Sequence, residues 1–205
     1  MIAEPKLYGR ARKTPTQVRR GPHAPSRVDY DGTATAGGLT PAPERSGMSE
    51  STATADLITM GECMVELSAR EPLRQAPSFT RGFGGDALNL AAMAAQLGTR
   101  AAYLTAVADD PFGEYLRNAW RGTRVDVSLV QDVDGYNGLY LMAALQTGER
   151  EIIYYREGSA AAQMTPEMLP REALRNVRLF HTSSITQAIS ESSRRAVRAA
   201  IETVK

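Results

Sequence analysis

The sequence is poor in the residues that staple a chain, anchor it in lipid or give it one sign of charge. It holds one cysteine, Cys63, in 205 residues. One thiol cannot close an internal disulfide, so a disulfide scaffold is excluded and a reducing, cytoplasmic setting is expected. No apolar run approaches the roughly 18 residues of a membrane-spanning helix. No basic stretch followed by an apolar one opens the chain, so no secretory leader is expected. The formal net charge is only +1, which gives no global reason to expect a nucleic acid or a membrane surface as partner. Histidine is nearly absent beyond the first 54 residues, where His181 stands alone.

What is present divides in two. Residues 1–54 are rich in Pro, Gly, Thr, Ala and Arg, with few large apolar side chains and no sustained period. Such a segment cannot bury enough apolar surface to offset its ordering entropy, so a disordered extension is expected. The seven Lys and Arg residues from Lys6 to Arg27 make its start basic and leave a nucleic-acid or organelle-targeting arm open. Translation from Met48 is a third reading, because MSESTATADLITMGE gives a short polar lead into a strand.

From residue 55 onward the texture is that of an alternating α/β domain. DLITMG is a buried-strand pattern stopped by Gly61. Short strands are expected over Cys63–Leu67 and Ser78–Arg81. Asp86 reads as the N-cap of a helix over Ala87–Leu97 that stops at Gly98. AAYLTAVA (Ala101–Ala108) reads as one strand, and Pro111–Arg121 as a helix with proline in its first turn. The period then becomes two over Val127–Val130, Leu139–Leu145 and Glu151–Tyr155, with turns at Gly135, Asn137-Gly138 and Thr147-Gly148. That pattern predicts an antiparallel sheet inserted among parallel strands. Thr165–Leu174 reads as helix, Val177–Ser183 as a third buried strand, and Ser190–Lys205 as a helix capped by Ser190. Three parallel strands are few for a sheet covered on both faces, so a chain that stops partway through a domain is expected.

The cluster Gly82-Phe83-Gly84-Gly85-Asp86-Ala87 has the form G-x-G-x-x-A. A dinucleotide fingerprint should follow a buried strand, and PSFTR is a poor one. A Walker A loop needs a lysine after its last glycine, and none follows. A tight turn with close backbone packing is one remaining reading. The other adds a polar ligand, such as a sugar or sugar acid, at the helix N-terminus, with the Asn89 amide offering a donor and an acceptor one turn in.

Gly84, Gly85, Asn89, Ala91 and Gly98 have the spacing of the first signature of the ribokinase-like, PfkB-type carbohydrate kinases, with Ala108 where that signature has another glycine. Five blocks extend the resemblance across 56–205: GECMVELS, RGFGGDALN, AWRGTRVDVSLV, GLYL and TGEREIIYYREGSAAA. Within the family they are most similar to the 2-keto-3-deoxygluconate kinases, while fructokinases and 5-dehydro-2-deoxygluconate kinases share the glycine cluster. The resemblance implies a three-layer α/β sandwich, mainly parallel, with a small β-sheet lid at about 127–155 plus the short strands near 63–82. It also implies ATP and Mg²⁺ as cofactors, a small sugar acid as partner, and a homodimer through the lid sheet.

The resemblance further implies a substrate site made of Gly84, Gly85, Asn89, Tyr140, Tyr154 and Arg156. Arg suits a carboxylate as a planar, permanent cation. Tyrosines offer an apolar face to a carbon chain and a hydroxyl to its oxygens. Ordinary alternating tyrosines and a solvated Arg are the other reading of YYR. Glu66 matches a position where related kinases place a hydroxyl-binding acid, and a solvated strand residue stays open beside that. The family's catalytic Asp closes a late glycine-rich motif; here the last Asp is Asp134 and the last Gly is Gly158. The base and the nucleotide cradle are therefore expected beyond Lys205, with no catalytic, cofactor-binding or metal residue in this chain, and the chain alone is expected to be inactive. A non-catalytic sugar-acid binding or dimerisation module is the alternative. His181 reads as a satisfied core residue.

Overall fold

In a computed structural model the described residues are 55–145 and 148–204, and the extension at 1–54 and the Thr147 side of its turn lie outside them. Strand β1 (Leu57–Met60) is buried along its whole length, as a central parallel strand must be. It is flanked in parallel by β4 (Ala101–Leu104) and β9 (Leu179–Thr182), in the order β4-β1-β9. Leu57 belongs to a core formed with helices α1 (Asp86–Gln96) and α2 (Pro111–Arg121). Ile58 and Met60 belong to a second core formed with α3 (Arg171–Asn176) and α5 (Glu191–Thr203). Helices thus cover both faces of the sheet, the layered α/β arrangement expected. In the first core Tyr103 and Trp120 meet edge to face, 5.2 Å apart.

A second sheet has the order β3-β2-β7-β8. Its strands are β2 (Met64–Ala69), β3 (Thr80–Gly84), β7 (Leu139–Ala144) and β8 (Arg150–Tyr155). Two antiparallel pairs, β2–β3 and β7–β8, are joined by a parallel seam between β2 and β7. The sheet is therefore mixed, not purely antiparallel, because the chain returns to β7 only after crossing the α/β layer.

Other expectations change at their ends. AAYLTAVA divides at Thr105: β4 stays in the parallel sheet, while β5 (Ala106–Ala108) pairs in parallel with β6 (Gln131–Val133). Val127–Val130 is not a strand. Asp126 makes one bridge to Ala102, and a turn at 128–129 precedes β6. Within 127–155, then, only β7 and β8 belong to the lid-like sheet. Thr165–Leu174 is broken by Pro170 into a 3-10 turn (Pro166–Met168) and α3, since proline disfavours helical geometry in the residue before it. The short helix α4 (Ser184–Ile189), capped by Ser183, falls where no helix was expected. Ser190 caps α5 by accepting from the Ser193 N–H at 2.9 Å. β9 is not fully buried, because among the described residues only β1 pairs with it. Leu179 is exposed, and the buried Nδ1 of His181 has no hydrogen-bond partner there.

Candidate functional site

The glycine cluster is built differently from a turn. Gly82, Phe83 and Gly84 are the last residues of β3, so the chain runs straight from strand into helix. Gly85, in extended geometry, is the N-cap of α1 and Asp86 is the first helical residue. The Asp86 carboxylate turns back to accept from the Ala87 N–H at 2.8 Å, so it does not cap the helix as expected. At the far end, Gly98 takes φ +90 and stops α1 as expected.

These glycines admit close approach by the protein itself. A β-carbon on Gly85 would stand 2.3 Å from the carbonyl oxygen of Glu62 and 2.8 Å from Cys63 Cα. One on Gly61 would stand 2.7 Å from Ala87 Cβ. The loop Gly61–Cys63 is thereby clamped against the start of α1. The packing reading of the cluster is correct for Gly85, and that packing fixes the backbone of Glu62.

Register across the second sheet sets four residues in one row. Gly82 pairs with Glu66, Glu66 with Tyr140, and Tyr140 with Tyr154. The Tyr140 hydroxyl donates to Glu66 Oε2. Glu66 is half-buried, so it is not a solvated strand residue. Burial, and then the bond to Glu66, push the Tyr140 phenol well above its ordinary value. The rings of Tyr140 and Tyr154 lie 5.9 Å apart, tilted by 37°. Just past β8, the Arg156 guanidinium carbon stands 6.0 Å from the Tyr154 ring centre.

Arg156 is not solvated. Its Nη2 lies 2.5 Å from Oε2 of Glu62, whose side chain is only 2% exposed. Ser159 Oγ donates to Glu62 Oε1 at 2.5 Å. Burial raises the Glu62 carboxyl above its usual value despite the opposing help of Ser159 and Arg156. The turn that presents Arg156 has Gly158 at φ +73, and the Tyr136 carbonyl accepts from the Ala160 N–H at 2.8 Å.

Glu66, Tyr140, Tyr154, Arg156 and Gly84 thus form one contiguous group, with Gly85 joined to it through Glu62. Asn89 stands one helical turn past Gly85, its N–H bonded to the Gly85 carbonyl and its side chain exposed; among the described residues no side-chain hydrogen bond joins it to the group. Glu62 and Ser159 were not singled out by sequence reasoning. The available signal was an acid one residue past the glycine-stopped end of a fully buried strand, a place where a carboxylate needs a partner.

The pfkB family carbohydrate kinase model matches residues 54–205. The chain belongs to the pfkB family of carbohydrate kinases. It is similar to a 2-dehydro-3-deoxygluconokinase (the 2-keto-3-deoxygluconate kinase activity) of Thermoproteus tenax, 31% identical over 164 residues, which are 78% of this chain and 50% of that protein. It is also similar to the Escherichia coli (strain K12) 2-dehydro-3-deoxygluconokinase, 38% identical over 110 residues, 51% of this chain and 34% of that one. A probable fructokinase-3 of Arabidopsis thaliana is 32% identical, over 73% of this chain and 44% of its own length. Among solved structures, a PfkB protein from Polaromonas sp. JS666 superposes with a TM-score of 0.70 at 27% identity, covering 73% of this chain and 52% of that one. The chain spans about half the length, or less, of the curated relatives it matches.

Members of the pfkB family are phosphotransferases that use ATP with a metal. Among the described residues no three His, Cys, Asp or Glu side chains cluster as a candidate metal site. The acids here are committed elsewhere: Glu62 to Arg156, Glu66 to Tyr140, and Asp110 to capping α2. Engaged in this way, these acids do not fit Mg²⁺. No helix among the described residues is long and apolar enough to cross a membrane.

Proposed function

We propose that this chain carries the sugar-acid side of a kinase acting on 2-keto-3-deoxygluconate. The whole protein would move the ATP γ-phosphate to the terminal hydroxyl of that substrate. The observation that carries the reading is the placement of Arg156: a cation three-quarters buried, at the end of a row of tyrosines and beside a glutamate that holds it. A carboxylate on a short polyhydroxy chain matches that arrangement. The carboxylate meets the guanidinium, the carbon chain lies along the Tyr140 and Tyr154 rings, and hydroxyls reach Glu66 and the tyrosine hydroxyls. Gly84, Gly85 and Asn89 would complete the site from the β3–α1 side. A neutral ketose such as fructose, or 5-dehydro-2-deoxygluconate, would use the row with a different demand on Arg156.

Calorimetry with the purified chain tests this. Binding of 2-keto-3-deoxygluconate that weakens at least tenfold in Arg156→Ala supports it; equal preference for fructose overturns the choice of substrate. We also propose that phosphoryl transfer needs residues other than those described. A coupled assay of ADP release is expected at background for this chain, and turnover well above background overturns that part.

A second reading, association through the lid sheet, is favoured by strand β8, where Ile152, Ile153, Tyr154 and Tyr155 in succession are exposed. An apolar strand open on both faces is a pairing surface. Sedimentation is expected to show a dimer that Ile153→Asp converts to monomer, and a monomeric unmodified chain overturns it.

A further inference from the structure

Glu62 is the most deeply buried acid in the lid region, and the site as read above gives it no contact with substrate. We propose that Glu62 is the positioning residue of the Arg156 clamp: its carboxylate fixes the guanidinium in the orientation an incoming carboxylate needs, and so sets the preference for sugar acids over neutral sugars. The proposal rests on the reading of Arg156 as that clamp.

Glu62 is held on every side the structure describes. Its backbone carbonyl abuts Gly85, where a β-carbon would come within 2.3 Å. One carboxylate oxygen accepts from Ser159, and the other, which makes no hydrogen bond among the described residues, stands in an ion pair with Arg156 Nη2 at 2.5 Å. Gly138 closes the remaining side, since a β-carbon there would stand 2.5 Å from Glu62 Oε1 and 2.8 Å from Met64 Cγ. A carboxylate so confined cannot follow a mobile partner, so the partner must come to it. Arg156 does so through Nη2.

The remaining donors of Arg156 are then restricted in direction. A guanidinium carries five N–H groups in one plane. With Nη2 held, those on Nε and Nη1 are pointed by the same plane. Nε is buried and has no hydrogen-bond partner among the described residues. A buried unpaired donor is costly, and an anionic acceptor satisfies it better than a hydroxyl does. Without Glu62 the long Arg156 side chain is free to reorient, and the directional advantage of a carboxylate ligand is lost while the hydroxyl contacts along the tyrosine row remain.

The test compares two ligands on the full chain: 2-keto-3-deoxygluconate, and its analogue with the carboxylate reduced to a primary alcohol. Calorimetry gives their affinity ratio, with ligand-observed NMR for weak binding. Glu62→Ala is expected to cut sugar-acid affinity at least tenfold while changing the neutral analogue less than threefold. Glu62→Gln, which keeps the acceptor for Arg156, is expected to restore the ratio to within threefold of the unmodified chain. Equal losses for both ligands in Glu62→Ala, or no rescue by glutamine, overturn the proposal. If Glu62→Ala does not fold, Ser159→Ala decides: freeing one oxygen of Glu62 is expected to lower the ratio at least threefold, and an unchanged ratio overturns the proposal. Arg156→Ala separates the layers. If it leaves the ratio unchanged, the clamp itself is wrong. If it collapses the ratio and Glu62→Ala does not, only the positioning role falls.

Discussion

A β-carbon on Gly84 would stand 2.5 Å from the hydroxyl oxygen of Tyr140. The end of β3 and the start of β7 are not paired to each other, since β2 lies between them, yet the phenol reaches across β2 to fill the space that glycine leaves. In Gly84→Ala the Tyr140 ring must swing away, and its bond to Glu66 is lost. The expected result is a fall of about tenfold in sugar-acid affinity, or ~1.4 kcal/mol, with little change in stability because the displaced atom ends a flexible side chain. Calorimetry and thermal unfolding on one preparation check both.

Gly85→Ala should behave oppositely. There the obstructing atoms are backbone, the Glu62 carbonyl oxygen and Cys63 Cα. No rotamer change relieves that contact, so the loop Gly61–Cys63 must move away from α1. Overpacking of this kind costs about 3 kcal/mol or more when backbone has to shift. Urea unfolding should show a lower midpoint, and a variant as stable as the parent refutes the close packing.

Glu62 sets a pH dependence of stability. Its folded carboxyl titrates above the unfolded value because it is buried. In the window between those two values the folded chain binds more protons than the unfolded one, so stability falls as pH rises through it. Glu62→Gln removes that slope. The stability difference between Glu62→Gln and the unmodified chain is therefore expected to shift in favour of the variant as pH rises from 4 to 7, about the carboxyl range. Denaturant melts at several pH values measure it, and a difference that moves the other way refutes the assignment.

Asn137 joins three segments. Its Oδ1 accepts from the Ala108 N–H at 3.1 Å, and its Nδ2 donates to Asp110 Oδ1 at 2.7 Å, the same oxygen that caps α2 through Gly113. Asn137→Ala leaves a buried backbone donor unpaired, and the expected loss is about 2–3 kcal/mol. Asn137→Asp keeps the acceptor but sets two carboxylates together, so it should be no better above pH 5, about a unit beyond the ordinary carboxylate value. Thermal unfolding across pH distinguishes the two variants.

Much of this architecture is legible in the sequence because burial dictates it. β1 and β4 are continuous apolar runs, α2 carries proline in its first turn at Pro111, and α5 carries its cap signal at Ser190. Strand partners are harder, since pairing is decided by tertiary neighbours. Nothing in AAYLTAVA marks Thr105 as the point where the chain leaves one sheet for another. Val127–Val130 has the strand period without a strand to pair with. The tyrosines, Glu66 and Arg156 were found by family resemblance. Glu62 was not found, because a single acid in GECMVELS carries no spacing signal, and its partners Arg156 and Ser159 lie more than 90 residues away.

The parallel seam between β2 and β7 has a kinetic consequence. Each hairpin of the second sheet can close on local contacts, but Glu66 meets Tyr140 across 74 residues and Glu62 meets Ser159 across 97. Loops of that length close late, after the intervening α1–β6 layer has shortened the path. Ligand-binding competence should therefore mature in the last phase of refolding, behind the appearance of helical signal. A nascent chain that has not yet reached β7 would display a paired β2–β3 hairpin with the β2 edge uncovered.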